Sequence, residues 1–188
     1  GLAANATRGP SASNGDLTLN AALLGNAGGT VQQAGSGLLA INAAIVNGAG
    51  GTLLSNGTLH VQGDTTDLRA GTTSAQRIRI ETGDLTTAGG TLTATSTDAL
   101  ALQVRGRLDN TGGTVATNGA LDLRAATLLN TGGNLQAAGT AASQLSIDQA
   151  LQNRGGKILT RSDLNVTAAS LDNQGGTEIG RASWRERV

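Results

Sequence analysis

A pair of glycines returns along this chain at intervals that cluster about one value. The pairs stand at Gly28/Gly29, Gly50/Gly51, Gly89/Gly90, Gly112/Gly113, Gly132/Gly133, Gly155/Gly156 and Gly175/Gly176. Successive spacings are 22, 39, 23, 20, 23 and 20 residues, and the 39 reads as two periods around one degenerate copy near Leu68 to Thr73. The repeat is therefore about 21 residues long, and self-similarity at so short a period marks a chain built of stacked units, none of which buries its apolar face alone.

Each unit carries three recurring pieces. The first is LxNxGG, standing as LGNAGG at 24–29, LDNTGG at 108–113, LLNTGG at 128–133, LQNRGG at 151–156 and LDNQGG at 171–176. Two copies depart from it: Asn47 lies one place further from its glycines in VNGAGG, and Thr87 replaces Asn in LTTAGG. The second piece is an apolar residue two places after the pair: Val31, Leu53, Leu92, Val115, Leu135 and Ile158. The third is a short alternation whose apolar members are Leu17/Leu19, Leu39/Ile41, Leu59/Val61, Ile78/Ile80, Leu100/Leu102, Leu121/Leu123, Leu145/Ile147 and Leu164/Val166. Alternation sends every second side chain to one face of a strand. Gly, Asn, Asp, Ser and Thr between the alternations supply left-handed dihedrals and self-capping turns. Three strands of three to five residues with three turns are enough to wind once around a coil. The expected fold is all-β: a parallel β-helix, or solenoid, of roughly seven to eight coils, about 35 Å long at about 4.8 Å per rung.

Composition fits a thin layered core. There is no Phe, Tyr, Met or Cys and a single Trp, so Leu, Ile, Val and Ala must stack in columns along the axis. Thirteen basic and thirteen acidic residues leave no long-range field to draw in nucleic acid or an anionic membrane. Apolar runs are too short for a membrane-spanning helix. Without Cys, thiolate nucleophiles and zinc ribbons are excluded, and His60, the one histidine, cannot form a His-paired metal site within the chain. No cofactor or metal site is expected. GGxGxD, GxxxxGK[ST] and GxGxxG before a helix do not occur.

Several groups invite a functional reading. Asn26, Asn110, Asn130, Asn153 and Asn173 recur at one turn. They could form a ligand ladder, but stacked amides that hydrogen-bond to each other and to the turn backbone explain them more simply. For catalysis, Asp64/Asp67 with Arg69 and Arg77/Arg79 with Glu81 lie near the degenerate copy, where a loop could project. A carbohydrate-active β-helix enzyme, a lyase or hydrolase, would need acid and base groups converging there, with aromatic platforms for sugar. Against it, Arg77 and Arg79 alternate with Ile78 and Ile80, as a solvated outer face requires. TLTATST at 91–97 looks like the threonine array of an ice-binding solenoid, yet the column of Thr93 does not repeat Thr. Arg105, Arg107 and Arg124 could hold a sulfated glycan, but Asp109 and Asp122 offset their charge.

The pattern fails after Thr177. Glu178 stands where six earlier units place an apolar residue, and EIGRASWRERV runs to the end. Residues 178–188 resemble the translation of a common sequencing-adapter read-through, with Trp184 where that translation carries Cys. The expected organisation is a poorly ordered or partial coil over 1–14, a β-helical repeat segment over 15–177 and a non-native tail over 178–188. A first residue of Gly reads as an excised piece.

The units LDNTGGTVATNGALDLRAATLLNTGG (108–133) and LQNRGGKILTRSDLNVTAASLDNQGG (151–176) resemble the filamentous haemagglutinin repeats of large two-partner secretion exoproteins. That family includes bacterial adhesins and the stalks of contact-dependent growth inhibition toxins. The resemblance covers about residues 15–177. It implies a right-handed parallel β-helix, a structural and adhesive shaft that is secreted or displayed outside a Gram-negative cell and projects a receptor-binding or toxic domain. The implied partners are an outer-membrane transporter during export and, through other parts of the protein, a receptor on a host cell or neighbouring bacterium. No partner is implied in nucleic acid, and no insertion into membrane. An Asn-Pro-rich secretion signature and a compact toxin domain are not seen in these residues.

Overall fold

A computed structural model describes the backbone of residues 3–5 and 15–184 and the side chains of 15–180. All regular structure among the described residues is β-strand, and neighbouring strands pair in parallel within one continuous sheet wound into a solenoid. Eight turns pass through one corner, each marked by a residue of positive φ, from Gly28 to Gly175. Leu, Ile and Val from every rung meet inside in a single cluster.

The registers define the inward columns. One runs Leu19, Ile41, Val61, Ile80, Leu102, Leu123, Leu145, Val166. Another runs Leu24, Val46, Thr66, Leu85, Leu108, Leu128, Leu151, Leu171. A third runs Val31, Leu53, Thr73, Leu92, Val115, Leu135, Ile158, Glu178. Leu100, Leu102, Leu121, Leu123, Leu145, Ile147, Leu164 and Val166 are all buried, as the alternation predicts.

Three details differ from the sequence reading. Strands are longer than three to five residues: Thr52–Gln62, Thr72–Thr82 and Lys157–Thr167 each run 11 residues. They bend around a corner at which the ladder is interrupted, with register shifts between Ser55 and Thr58 and between Leu159 and Asp163, and small polar residues hold the bend. Ser55 Oγ accepts from Gly57 N–H at 3.1 Å, and Asn56 Nδ2 donates to Ala34 O on the previous rung at 2.9 Å. Thr117, Asn118 and Gly119 repeat that arrangement. Leu145/Ile147 is displaced by one inward position relative to Leu121/Leu123. Leu121 faces buried Ser143, whose Oγ accepts from Leu121 N–H at 3.1 Å, while Leu145 faces Leu123 and Ile147 faces Ala125. At the degenerate copy no loop projects; a full rung is present, and Ala70 takes the left-handed position with φ 52°.

Within the segment 1–14, the strand Ala3–Asn5 pairs with Leu23–Gly25, and the remaining residues lie outside those described. At the other end, Thr177–Trp184 pairs with the strand Lys157–Thr167, and residues 185–188 of the expected tail lie outside the described residues.

Candidate functional site

The glycine-pair corner is built by the sequence at three levels. In each copy the N–H of the second glycine donates to the carbonyl three residues back, as Gly133 to Asn130 at 3.1 Å, closing a four-residue turn. Its third residue must be left-handed, which Gly adopts without a Cβ penalty: Gly132 has φ 62°. The second glycine is needed for space instead, since a Cβ on Gly133 would lie 2.2 Å from Asn110 O of the rung before.

Inside this corner the asparagines divide into two groups. Asn110 Nδ2 donates to Asn130 Oδ1 at 2.7 Å, Asn130 Nδ2 to Asn153 Oδ1 at 2.7 Å, and Asn153 Nδ2 to Asn173 Oδ1 at 2.8 Å. Thr87, the apparent defect in LTTAGG, heads this chain by donating Oγ1–H to Asn110 Oδ1 at 2.8 Å. Asn26 is buried but stands apart. Gly48 and Leu68 fill the next two places in the column, so Asn26 Nδ2 turns to Thr52 O at 3.2 Å and its Oδ1 has no partner. Leu68 is itself buried, with Cδ2 3.1 Å from where a Cβ on Gly48 would stand. The amides that do connect are saturated by each other and by turn carbonyls, leaving little bonding capacity for a ligand.

The catalytic candidates are taken up in separate ion pairs. Asp67 pairs with Arg69, with Arg69 Nε to Asp67 Oδ2 at 2.7 Å, while Asp64 accepts instead from Arg105 Nη2 at 3.2 Å, two rungs away. Arg77 pairs with Asp98, and Arg79 with Glu81. Glu81 Oε2 also accepts from Gln62 Nε2 at 2.8 Å, and His60 Nε2 lies 3.6 Å from the same oxygen. The Gln62 hydrogen bond and then Arg79 hold the Glu81 carboxyl below the usual carboxylate range. At Asp67 partial burial pushes upward, but the Arg69 hydrogen bonds and charge outweigh it and the net direction is down. Both are acids kept ionised, the reverse of a general acid. Arg107 lies 3.4 Å from Asp109. Asp64 and Glu81 line one open depression with Asn42, Gln62 and Arg105, and Glu81 and Arg105 border a second one with Gln103 and Arg124. Among the described residues no three His, Asp or Glu gather as metal ligands, and no helix is long and apolar enough to cross a membrane.

The threonine column is longer than the sequence alignment shows. Thr30, Thr52, Thr72, Thr91 and Thr114 stack in register, and Thr72/Ser74 adds a row hidden by the degenerate copy. The companion column still mixes Gln32, Leu54, Ser74, Thr93 and Ala116, so the surface lacks a two-dimensional hydroxyl lattice.

Comparison with curated proteins and with solved structures returned no match. The family model for the haemagglutinin repeat matches residues 1–39, 34–112, 87–155 and 140–183, four overlapping spans that run through the solenoid. With a stacked 21-residue rung, a glycine-pair corner and matches along nearly its whole length, this chain belongs to the haemagglutinin repeat family.

Proposed function

We propose that this chain is a length of shaft from a large exported bacterial exoprotein, an adhesin or a toxin stalk, that holds a receptor-binding or toxic domain away from the cell. The observation that carries the reading is the stack itself: eight like turns whose inward columns are aliphatic and whose outward acids Asp64, Asp67 and Glu81 are each engaged by an arginine. Haemagglutinin repeats are typical of secreted or surface exoproteins. Export through a dedicated outer-membrane transporter and a receptor contacted by other parts of the protein belong to this proposal. So does the division of the chain, with residues 15–177 as shaft and 178–188 as a foreign tail.

The test is removal of one whole rung, Asn110 through Leu129, in the parent protein. The shaft should shorten by about 4.8 Å, fold cooperatively, and keep the activity of the domain it carries. Loss of that activity from a still-folded shaft would place recognition or chemistry in the rungs. In parallel, the 188-residue chain should leave a panel of acidic and neutral polysaccharides intact. Turnover abolished by Asp64→Asn, Asp67→Asn or Glu81→Gln would establish the β-helix enzyme instead.

A further inference from the structure

The rung between Gly63 and Ala75 differs from its neighbours in ways that all act in one direction. Two aliphatic columns are interrupted there: Thr66 replaces the Val or Leu found above and below it, and Thr73 replaces Leu. Both threonines are buried, so each exchanges apolar contact for a hydroxyl. Thr66 satisfies its own by donating to Thr82 Oγ1 at 3.1 Å, a bond to the next rung that leaves the rung before without an equivalent. The left-handed turn position is Ala70 rather than Gly, a conformation that an L side chain adopts at a cost. The corner Asn is absent from this rung and from both its neighbours, where Gly48, Leu68 and Thr87 stand in turn, so the chain of side-chain hydrogen bonds begins only at Thr87.

In a solenoid each rung is held by its two neighbours alone, and total stability is close to a sum of rung and interface contributions. One rung that is both strained and short of aliphatic contact therefore lowers two successive interfaces at once. We propose that this rung is a built-in yield point, at which the rod separates into two cooperatively folded blocks before either block unfolds. The block on its C-terminal side carries the Thr87–Asn173 amide chain and the unbroken column Leu85, Leu108, Leu128, Leu151, Leu171. The block on its N-terminal side carries neither the chain nor a satisfied Asn26. A shaft with such a site gives way at a fixed place under heat or pull, and keeps the distal rungs folded when it does.

Native-state hydrogen exchange on the 188-residue chain reads this directly, because equivalent corner amides donate to the next rung in each copy: Ala70 to Ala88 O, Gly112 to Thr131 O, Gly132 to Arg154 O. Ala70 N–H should exchange at least tenfold faster than Gly112 and Gly132 N–H, with a step in protection between Thr73 and Leu92. The triple variant Thr66→Val, Ala70→Gly, Thr73→Val preserves shape and removes the three defects. In it that step should vanish and protection at residue 70 should rise to the level at 112. Protection at Ala70 equal to that at Gly112 in the unaltered chain would overturn the proposal. A smooth gradient from the N-terminus that the triple variant leaves unchanged would do so too, since that is fraying from an end.

Discussion

Single residues in this protein are held by what stands one rung above and below, so a substitution is best judged by its column. Asn130 receives a hydrogen bond from Asn110 and gives one to Asn153. Asn130→Ala leaves Asn153 Oδ1 without its donor and Asn110 Nδ2 with only its longer bonds to Gly113 O and Asn134 O, and at about 1–3 kcal/mol for an unsatisfied buried group and about 1 kcal/mol for a further lost hydrogen bond the loss should total about 2–4 kcal/mol in a chemical denaturation midpoint. Asn26→Ala deletes one bond to a backbone carbonyl and an oxygen that has no partner, and should cost about 1 kcal/mol or less. Equal losses would mean that the amide chain adds nothing beyond turn capping. Ala70→Gly trades relief of a left-handed alanine, about 1–2 kcal/mol, against the larger unfolded-state freedom of Gly, about 0.4–1 kcal/mol, and should stabilise by roughly 0.5–1 kcal/mol. The recurrence of Asn and Gly is plain in the sequence. That Thr87 could head the amide chain, and that Ala70 occupies a glycine's conformation, was hidden because both sit in copies where the phrase breaks.

At the scale of strands, the inward face was readable because period-2 alternation depends on the backbone alone. Leu123 is fully buried between Leu102 and Leu145, as its alternation requires, whereas Ile45 shares the parity of the buried Ile41 and Ala43 and is yet 48% exposed, because the phase changes at Ala44 and Val46 turns inward. Leu123→Asp places a carboxylate between aliphatics without a partner and should prevent folding or cost several kcal/mol, of the order seen for large core truncations at about 2–5 kcal/mol. Ile45→Asp should shift the unfolding midpoint by about 0.5 kcal/mol or less. Corners were less legible than faces. Ser-Asn-Gly at 55–57 lies inside the strand Thr52–Gln62 and Thr-Asn-Gly at 117–119 ends the strand Thr114–Thr117, yet both hold the bend with the same side-chain bonds. Likewise Leu145/Ile147 aligns by eye with Leu121/Leu123, and only pairing reveals that Ser143 has taken the first place of the set.

For the whole rod, charge sets how stability responds to pH, and Glu178 answers opposite to the lowered acids. Gln62 and Arg79 lower Glu81, Arg77 and Ser96 lower Asp98, and Arg154 with the Gln174 amide lowers Asp172. Acids lowered in the folded state lend stability above the ordinary carboxylate range and lose it as pH falls through their folded values. These groups are exposed, so their share is small. Glu178 behaves the other way. It stands in register with Ile158 in an aliphatic column, its Oε1 is buried without a partner, and burial pushes its carboxyl up. Its raised value penalises folding above that value, and the penalty disappears once pH drops below the ordinary Glu range. Glu178→Gln should therefore raise the unfolding midpoint at pH 7 and make no difference in acid. A chain ending at Thr177 should match the full chain or exceed it. A fall of several kcal/mol on truncation, comparable to loss of a large core side chain, would show the terminal strand to be a true cap.

The corner that fixes each turn also limits how far an error can travel. Successive corner positions from Asn26 to Asn173 stand between 19 and 23 residues apart, yet every one re-enters the same column. The displacement that puts Ser143 opposite Leu121 is gone by Leu151, which again faces Leu128. In an open sheet a one-residue slip turns every later side chain to the wrong face. Here each glycine pair restores the phase, so slack is absorbed within a single coil. Such a rod tolerates small insertions almost anywhere outside its corners, and can lengthen by copying whole coils without any change to those already present.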